Sequence, residues 1–517
     1  MKRPKIATSA CLSTNHWFAG ILIILLGSFV YSSVFYAQFL FDDDILITNN
    51  VLIQASNGLS KIWFSTQPVD YFPITNTAFW IEWRLFGDSP LGYHVVNLVL
   101  HLIASLLIWA VLDRLMIPGS WLAAILFAIH PVAVPSVAWI SEQKNTLSIC
   151  FYLLSILAYL AFLDRQLSDQ RRRRDYVFAL AAFLLALLAK PAVVVLPVIL
   201  LMLIWWKRRK VTPRDIFALV PFFALALVMG LVTIWFQLWR ITSDTDIIPL
   251  EPWLCRIAGT GRGVWFYLYK AIAPLNLTII YPKWIINPAD LLSYLPLTLL
   301  LALFTLLIYL SAHRRLAWSR AALFAFACFV ITLCPVLGIV RMAFRAYSPV
   351  ADHLQYFALP AITALLAAAI VTLAQRCRSL KLPMYFLAFA LVLTFTFLAW
   401  VRVQFFQDIE TVSRQNIAVN PDAAFAWHNL GYALAHQAPA PATLQAAADA
   451  FNCELKIFPA SVKGTLSLAR ILIQSGQLSE ALSRLNSALA LNPDNPLLLY
   501  SRGYVRGRLM ELEEDYY

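Results

Sequence analysis

Three consecutive carboxylates, Asp42, Asp43 and Asp44, directly follow the first long apolar stretch of the chain. A positioned carboxylate can take the proton of an acceptor hydroxyl while that oxygen forms a new bond. Adjacent carboxylates could instead hold a divalent cation, because hard cations prefer oxygen ligands. Solvated charge facing lipid headgroups is the third explanation. The segment therefore offers general-base catalysis, cation binding or simple solvation.

A second group of polar residues follows the aspartates. Tyr71 lies in a connection, and His94, Asn97 and His101 share one helix face at i, i+3 and i+7. Inside a membrane, such a stripe faces protein or a cavity. Hydrogen bonding between helices is the simpler explanation for Asn97 and His101. His94 is the better functional candidate, and Tyr71, His94 and Asn97 are predicted to line a pocket.

A third group lies in a short connection between two apolar blocks. Glu142, Lys144 and Asn145 combine both signs of charge there. Because the flanking blocks are short, we expect this connection to close over the aspartates. These three residues are predicted to line the same pocket.

Membrane helices must position all these residues. Of 517 residues, 61% are hydrophobic and 13% are charged, and the mean hydropathy is +0.70, whereas soluble domains have roughly 25% charged residues. Backbone groups in lipid must be paired within the chain, so the spans are helices. We predict an all-α polytopic bundle of about eleven spans of about 20 residues, at 17–39, 94–113, 119–138, 146–163, 176–189, 191–206, 215–238, 291–311, 321–340, 357–374 and 383–403.

Basic residues indicate the orientation of this bundle. Half of the 40 Lys and Arg residues fall on every second connection when the N-terminus is cytoplasmic, as the positive-inside rule requires. The net charge of +12 then marks topology and does not indicate nucleic acid. Segments 41–93 and 240–290 and the C-terminus are predicted to be extracytoplasmic. Lys190-Pro191 interrupts two short spans, for which a re-entrant pair is the alternative.

Several cations lie on the face where the topology rule does not place them. Such cations need an anion, and phosphate suits them, although contact with lipid headgroups is the simpler explanation. Arg341 and Arg345 are the preferred pair because Asp352, His353 and Tyr356 follow closely. The full set of predicted phosphate-binding residues is Arg341, Arg345, Arg262, Arg256, Lys190, His353 and Tyr356, with Asp352 in the pocket.

The chain after residue 403 has the composition of a soluble domain. Pro459 and Pro493 are 34 residues apart, which is the period of tetratricopeptide repeats. Leu468, Ala469 and Leu472 fall where that repeat places small or apolar residues. We predict a membrane domain over 1–403 and a repeat domain over 404–517 that packs on it. The repeats either bind a peptide acceptor or serve a purely structural purpose.

Jointly, these segments resemble the transmembrane and tetratricopeptide-repeat proteins, a branch of the GT-C superfamily of glycosyltransferases that use lipid-linked sugars. The matching segments are 41–44, 71–75, 92–97, 127–148, 189–191, 281–282, 335–338, 352–356 and the repeats. The resemblance implies a GT-C-like bundle and a polyprenyl-phosphate sugar donor. It also implies that Asp43, with its neighbours Asp42 and Asp44, is the base or a ligand of a divalent cation. His353 departs from the family, which shows arginine near this position.

The leading hypothesis is therefore an inverting glycosyltransferase that acts on a hydroxyl of a protein or glycan at the extracytoplasmic face. The predicted location is a bacterial inner membrane, with the repeats in the periplasm. A transporter or flippase of an anionic lipid is one alternative, for which the Lys190-Pro191 break is the best signal. A membrane-anchored repeat scaffold is the other alternative, but it leaves the aspartates unexplained.

Overall fold

The computed structural model describes residues 13–164, 169–243, 252–314, 316–339, 342–437 and 440–514. All regular secondary structure in these ranges is helical. The helices of the membrane part are α1 (Ser13–Val30), α2 (Val51–Gln54), α3 (Gly58–Phe64), α4 (Pro73–Phe86), α5 (Pro90–Arg114), α6 (Ser120–Ala128), α7 (Val134–Ala138), α8 (Gln143–Phe162), α9 (Asp169–Ala189), α10 (Leu196–Arg208), α11 (Pro213–Ser243), α12 (Trp253–Ile272), α13 (Leu295–Ala312), α14 (Ala317–Leu333), α15 (Leu359–Arg376) and α16 (Lys381–Val403).

Shorter helical turns connect many of these helices. One is a π-helical turn, Asp44–Thr48, which begins inside the aspartate segment. The others are 3-10 helices at Ser32–Tyr36, Pro131–Ala133, Ile140–Glu142, Pro191–Val195, Leu291–Tyr294, Cys334–Val336, Ala343–Ala346, Asp352–Gln355, Arg378–Leu380 and Gln404–Phe406.

The helices that can cross a membrane include most of the predicted eleven spans. In the described ranges, eight helices are long and apolar enough to cross a membrane, and the pair Ser120–Ala128 and Pro131–Ala138, bent by 49°, is a ninth candidate. All eleven predicted segments are mainly helical. The two segments outside this set are α1, which is an apolar helix, and α9. The prediction of an all-α polytopic membrane protein is confirmed, with at least eight candidate spans among the described residues.

Helices α8 and α9 pack closely because small residues line their contact. Ala179 and Ala186 of α9 are fully buried. Ser155 Oγ donates to the Ala179 carbonyl at 2.7 Å, and Ser148 Oγ donates to the Ala186 carbonyl at 2.9 Å. Small residues let membrane helices approach closely, and hydroxyls then bridge them. This packing fixes the C-terminal end of α9, where Lys190 follows.

The predicted break at Lys190-Pro191 is present. Helix α9 ends at Ala189, and Lys190 is extended, with φ −156° and ψ 116°. Proline disfavours helical geometry in the residue before it. A 3-10 helix then begins at Pro191. The break therefore points the Lys190 side chain away from the direction it would have in a continuous helix.

Segment 41–93 is mostly helical and covers the end of α9. It contains α2, α3 and α4, which pack on one another. Trp63 Nε1 donates to Thr77 Oγ1 at 3.0 Å, and Trp80 Nε1 donates to the Ala55 carbonyl at 3.0 Å. Thr75 Oγ1 donates to the Ala189 carbonyl at 2.9 Å. This last bond attaches the segment directly beside Lys190.

The repeat domain consists of helix pairs, as the 34-residue period predicts. Its helices are α17 (Ile409–Val419), α18 (Ala424–Ala435), α19 (Pro441–Ile457), α20 (Val462–Gln474), α21 (Leu478–Leu491) and α22 (Pro496–Glu514). A core of buried apolar side chains, among them Leu468, Leu472 and Leu485, runs between them. Gly431 permits close packing, because a Cβ there would meet the Phe451 ring at 2.8 Å.

The first repeat helices dock on the membrane domain, as expected. Thr278 Oγ1 donates to Asn416 Oδ1 at 2.9 Å, and Asn420 Nδ2 donates to the Ile280 carbonyl at 3.2 Å. Gln415 Nε2 donates to the Leu277 carbonyl at 3.0 Å. Side-chain hydrogen bonds therefore join α17 to the connection after α12.

Candidate active site

Asp43 is an anchored carboxylate. It is fully buried, and Oδ1 accepts the Ser141 N–H at 2.7 Å and the Ser141 hydroxyl. Its Oδ2 accepts the Leu40 N–H at 2.7 Å. Burial raises the pKa of Asp43 to about 7, although the hydrogen bonds from Ser141 and Leu40 oppose that rise. Asp43 thus fastens the segment after the first span to the connection before α8.

The neighbouring aspartates differ from Asp43. Asp42 is half-buried, and within the described residues its carboxylate accepts no hydrogen bond and joins no ion pair. It lies near enough to Lys144 for their charges to interact. Asp44 accepts the Thr48 hydroxyl at 3.2 Å and the Tyr432 hydroxyl at 3.3 Å. Of the three carboxylates, Asp42 is the one that remains available to an incoming molecule.

Four residues near Asp42 form what we call the lysine cluster: Glu142, Lys144, Asn145 and Lys190. Glu142 Oε1 lies 2.8 Å from Lys144 Nζ, and Oε2 lies 3.6 Å from Lys190 Nζ. Asn145 Nδ2 donates to Glu142 at 2.6 Å, and Lys190 Nζ donates to Asn145 Oδ1 at 2.6 Å. Two ammonium groups therefore share one carboxylate within the cluster, and the charges of Asp42 and Asp70 also reach Lys144. Adjacent ammonium groups of this kind can bind an oxyanion through charge-assisted hydrogen bonds.

Lys190 is a buried cation whose pKa is lowered. Its side chain is 12% exposed. Burial lowers its pKa to about 8, and the Lys144 charge acts in the same direction, while Glu142 opposes both. Lys190 is therefore mostly protonated at pH 7 and loses its charge slightly above that.

A small cavity opens beside the lysine cluster. Its volume is about 20 Å³, enough for about one water molecule. Polar residues such as Asp70, Asn50, Ser141 and Lys144 line it together with apolar residues, many of them in α2, α3 and α4. The cavity therefore brings Lys144 and Ser141, the donor to Asp43, to one space.

Asp352 belongs to a separate group, which we call the arginine cluster: Asp352, Arg402 and Tyr281. Arg402 donates to Asp352 Oδ2 at 2.6 Å, and the Tyr281 hydroxyl donates to Oδ1 at 2.9 Å. Arg402 also donates to the Pro131 carbonyl at 3.0 Å. Burial raises the pKa of Asp352, although the Arg402 charge opposes that rise. Every charge in this cluster is paired.

His353 and Tyr356 are buried side chains. The His353 ring is buried edge-on against Trp139 and Phe344, with ring centroids 5.8 Å and 5.2 Å away. Burial lowers its pKa to about 4, so the ring is neutral at pH 7. The Tyr356 hydroxyl lies 2.8 Å from His101 Nδ1, deep between helices. Neither side chain offers a positive charge to a phosphate here.

The arginines predicted to bind phosphate contact other groups. Arg256 donates to the Gly338 carbonyl at 2.7 Å, and Arg345 donates to the Pro349 carbonyl at 2.9 Å. The Arg262 guanidinium lies 4.8 Å from the Trp284 ring centroid. Arg341 lies outside the described residues. The predicted phosphate-binding set therefore divides, with Lys190 beside the aspartates and these arginines around the connection after α14.

The remaining predicted pocket residues have packing contacts. Asn97 Nδ2 donates to the Val137 carbonyl at 2.8 Å, and Asn97 Oδ1 accepts the Thr146 hydroxyl at 2.5 Å. His94 is fully buried against the backbone of residues 37 and 38. The Tyr71 hydroxyl donates to the Trp63 carbonyl at 3.1 Å. Interhelical hydrogen bonding, the simpler alternative for Asn97, matches these contacts.

A divalent cation was one explanation for the aspartate segment. Among the described residues, no group of three or more His, Cys, Asp and Glu side chains is placed to hold a metal ion. Asp43 and Asp44 direct their oxygens to protein donors, so the three carboxylates do not converge on one point. The segment therefore does not form a ready set of cation ligands.

Sequence reasoning missed three residues of this region. Ser141 carries two of the three hydrogen bonds to Asp43 but stands among other small polar residues. Asp70 lies near both lysines, and it gave no signal beyond its place next to Tyr71. Arg402 did give a signal in the sequence, because an arginine in an apolar helix requires a partner.

Two segments of the chain match models of known protein families. Residues 68–235, which contain the whole lysine cluster, match the family model described as dolichyl-phosphate-mannose-protein mannosyltransferase. Residues 469–509 match a tetratricopeptide-repeat model. The protein O-mannosyl-transferase TMTC4 of Homo sapiens is 32% identical over 181 residues, or 30% of this chain and 24% of that protein. A protein O-mannosyl-transferase of Caenorhabditis elegans is 30% identical over 154 residues, or 27% of this chain and 22% of that protein.

Two solved structures align with most of the chain at low identity. The archaeal oligosaccharyltransferase AglB from Archaeoglobus fulgidus has a TM-score of 0.43 and 12% identity, over 84% of this chain and 60% of that chain. ArnT from Cupriavidus metallidurans in the apo state has a TM-score of 0.38 and 15% identity, over 92% of this chain and 80% of that chain. The curated relatives are matched over about a quarter of their own length. Residues 68–235 thus resemble dolichyl-phosphate-mannose-protein mannosyltransferases and residues 469–509 resemble tetratricopeptide repeats, which confirms the resemblance to the transmembrane and tetratricopeptide-repeat branch of the GT-C superfamily.

Proposed function

We propose that this chain is a membrane glycosyltransferase that moves a sugar from a polyprenyl-phosphate carrier to a hydroxyl of a protein or glycan. Transfer takes place at the extracytoplasmic face and inverts the anomeric centre. The curated relatives are named protein O-mannosyl-transferases. Mannose and a protein acceptor are therefore the substrates to test first.

One observation carries this proposal: a carboxylate without a hydrogen-bond or ion-pair partner among the described residues stands beside two ammonium groups that share one other carboxylate. The free carboxylate is that of Asp42, and the ammonium groups are those of Lys144 and Lys190 on Glu142. Glycosyl transfer from a lipid phosphate needs a base for the acceptor and cations for the leaving group. Asp42, Lys144 and Lys190 meet both needs within one region.

In the proposed reaction, Asp42 accepts the proton of the acceptor hydroxyl. The hydroxyl oxygen forms its bond to the anomeric carbon as the bond from that carbon to the phosphate oxygen breaks. The electron pair stays on the departing polyprenyl phosphate, whose added charge Lys144 and Lys190 stabilise. A single displacement of this kind inverts the anomeric centre. The products are the glycosylated acceptor and the lipid phosphate.

Asp43 acts in this proposal as a positioning residue. Its three hydrogen bonds from Leu40 and Ser141 fix the backbone that carries Asp42. A catalytic group must be held within a fraction of an ångström of its working geometry. The sequence-based choice of Asp43 as base therefore gives way to Asp42, which has the open carboxylate.

The proposed setting is a bacterial inner membrane with a cytoplasmic N-terminus and periplasmic repeats. The basic residues on alternate connections support this orientation. The lipid bilayer, the lipid-linked donor and the acceptor are the proposed partners. The repeats supply a surface on which a protein acceptor can bind.

The test uses the full chain in lipid nanodiscs with radiolabelled polyprenyl-phosphate mannose and a Ser/Thr-containing peptide. We expect D42N to lower transfer by about 10²- to 10⁴-fold, the range typical of a lost general base. D88N removes an exposed carboxylate of the same segment and is the matched control, with transfer unchanged. Undiminished transfer by D42N would refute the proposed base.

Two further arms separate the other functions. Movement of labelled lipid across a vesicle membrane without covalent transfer favours a transporter. Addition of a chelator tests the divalent cation, and a loss of transfer that Mg²⁺ or Mn²⁺ restores would show that one is required. Transfer that persists at full rate supports a base-catalysed displacement without metal.

A further inference from the structure

Helix α18 of the first repeat contacts both residues that flank the Asp42-Asp43 pair. Phe425 and Tyr432 are seven positions apart and therefore lie on one face of this helix. The Phe425 ring lies 5.5 Å from the Phe41 ring, measured between centroids. The Tyr432 hydroxyl donates to Asp44 Oδ2 at 3.3 Å. One helix face thus meets the aspartate segment at both of its ends.

Phe41 needs such support because of its backbone conformation. Its φ is +46°, in the left-handed region that a bulky residue rarely adopts. Strained residues of this kind persist only where their surroundings hold them. The Phe41 ring is held from two sides, by Trp139 at 5.4 Å and by Phe425 at 5.5 Å. One support comes from the membrane domain and the other from the repeat.

Helix α18 is in turn connected to the rest of the array. His428 Nδ1 lies 2.8 Å from Glu454 Oε2 on α19. Ser461, which precedes α20, donates to the other oxygen of Glu454 at 2.7 Å. A buried carboxylate therefore links three successive repeat helices. A displacement of the later helices reaches α18 through this contact.

We propose that Phe425 and Tyr432 are positioning residues of the catalytic centre, so that the repeat domain sets the geometry of Asp42 in addition to offering an acceptor surface. The inference rests on the proposed function for its catalytic consequence. Its structural part is that α18 holds segment 41–44 in place, and this part does not depend on the proposed function. The two parts have separate measurements.

The structural part is tested by hydrogen exchange of the full chain in nanodiscs. We expect F425A to increase deuterium uptake in peptides covering residues 40–50, with little change in α20 to α22. Y500A removes an exposed ring from α22 and is the matched control, with uptake in 40–50 unchanged. Unchanged uptake in F425A would overturn the inference whether or not the chain transfers sugar.

The catalytic part is tested by kinetics with a short peptide acceptor. We expect F425A to lower kcat about tenfold, which corresponds to the upper range for an aromatic pair, with the KM for donor unchanged. F425Y keeps the ring and restores most of kcat. Y432F lowers kcat about threefold, because it removes one hydrogen bond to a carboxylate.

A double-mutant cycle separates direct positioning from general loosening. F41L, F425L and the double variant are compared in kcat, and contact between the two rings predicts that the double variant is little slower than either single one. Independent effects that multiply would overturn the inference. A wild-type chain without transferase activity would instead refute the proposed function, and hydrogen exchange would then still decide the structural part.

Discussion

The lysine cluster and the arginine cluster are neighbours, and they handle buried charge in opposite ways. Asn145 of the first donates to the His353 carbonyl at 3.3 Å, next to Asp352 of the second. In the arginine cluster one guanidinium pairs with one carboxylate, and Tyr281 takes the other oxygen. In the lysine cluster two ammonium groups share Glu142. Burial of ionisable groups is common to both, so the sharing of one carboxylate by two cations is what distinguishes the candidate site from the structural cluster.

Removal of Arg402 tests the structural member of this comparison and carries the largest expected effect. R402Q leaves Asp352 buried without its charge partner, which typically costs about 3–5 kcal/mol. We expect a markedly lower Tm of the purified protein in detergent. The double variant D352N/R402Q removes the uncompensated charge and should recover part of that loss. An R402Q protein as stable as the wild type would show that the arginine cluster does not hold the fold.

Removal of the Lys190 charge tests the lysine cluster, which is the functional member of this comparison. K190Q removes one of the two ammonium groups of the lysine cluster, so we expect donor kcat/KM to fall about 10- to 100-fold, as for a lost charge-assisted contact. The Tm should change little, since Glu142 keeps Lys144. A variant that loses stability while its remaining activity keeps the wild-type kcat/KM would place Lys190 with the structural residues.

The pH dependence sharpens the same point. The pKa of Lys190 is lowered to about 8 by burial, so its charge is present at pH 7 and is lost as pH rises through 8. Donor kcat/KM should therefore fall about tenfold between pH 7 and pH 9, following the protonated fraction of the free enzyme. K190R keeps its charge over this range and should flatten the profile. An equally steep fall in K190R would assign the titration to another group.

Arg256 provides the smallest expected effect. Its guanidinium donates to the carbonyls of Gly338 and Ile339. R256Q should reduce stability by about 1 kcal/mol, as for one net hydrogen bond, and change donor kcat/KM less than threefold. The measurement is the same kinetic assay used for K190Q. A loss as large as that of K190Q would return Arg256 to the phosphate-binding set.

Local patterns in the sequence predicted the parts of this molecule that local physics determines. The apolar blocks predicted helices, and Pro191 predicted the break at Lys190. The 34-residue spacing of Pro459 and Pro493 predicted the helix pairs of the repeat domain. The position of the aspartate segment, at the end of the first apolar helix, was also evident.

The geometry of the site could not be predicted from the sequence because it depends on contacts between residues that are far apart in the chain. Asp43 is closed because Ser141, 98 residues away, donates twice to it, and three adjacent aspartates carry no sign of that distant partner. The pairing of Asp352 with Arg402 spans 50 residues and could not be read from either one alone. Segment 41–93 was assigned as a connection, but tryptophan contacts among α2, α3 and α4 make it a small helical layer.

The joint between the two domains is short and doubly fixed. Helix α16 passes through the 3-10 helix Gln404–Phe406, and α17 begins at Ile409. The Gln38 N–H donates to the Gln407 carbonyl at 2.7 Å, so the segment after the 3-10 helix Ser32–Tyr36 is bonded to this joint. The repeat array is therefore fixed to the membrane domain and is not joined to it by a long flexible linker. If a polypeptide acceptor binds to the array, its effective concentration at the aspartates depends on its own length and bending. The short joint after α16 contains no flexible linker whose extension could change that distance.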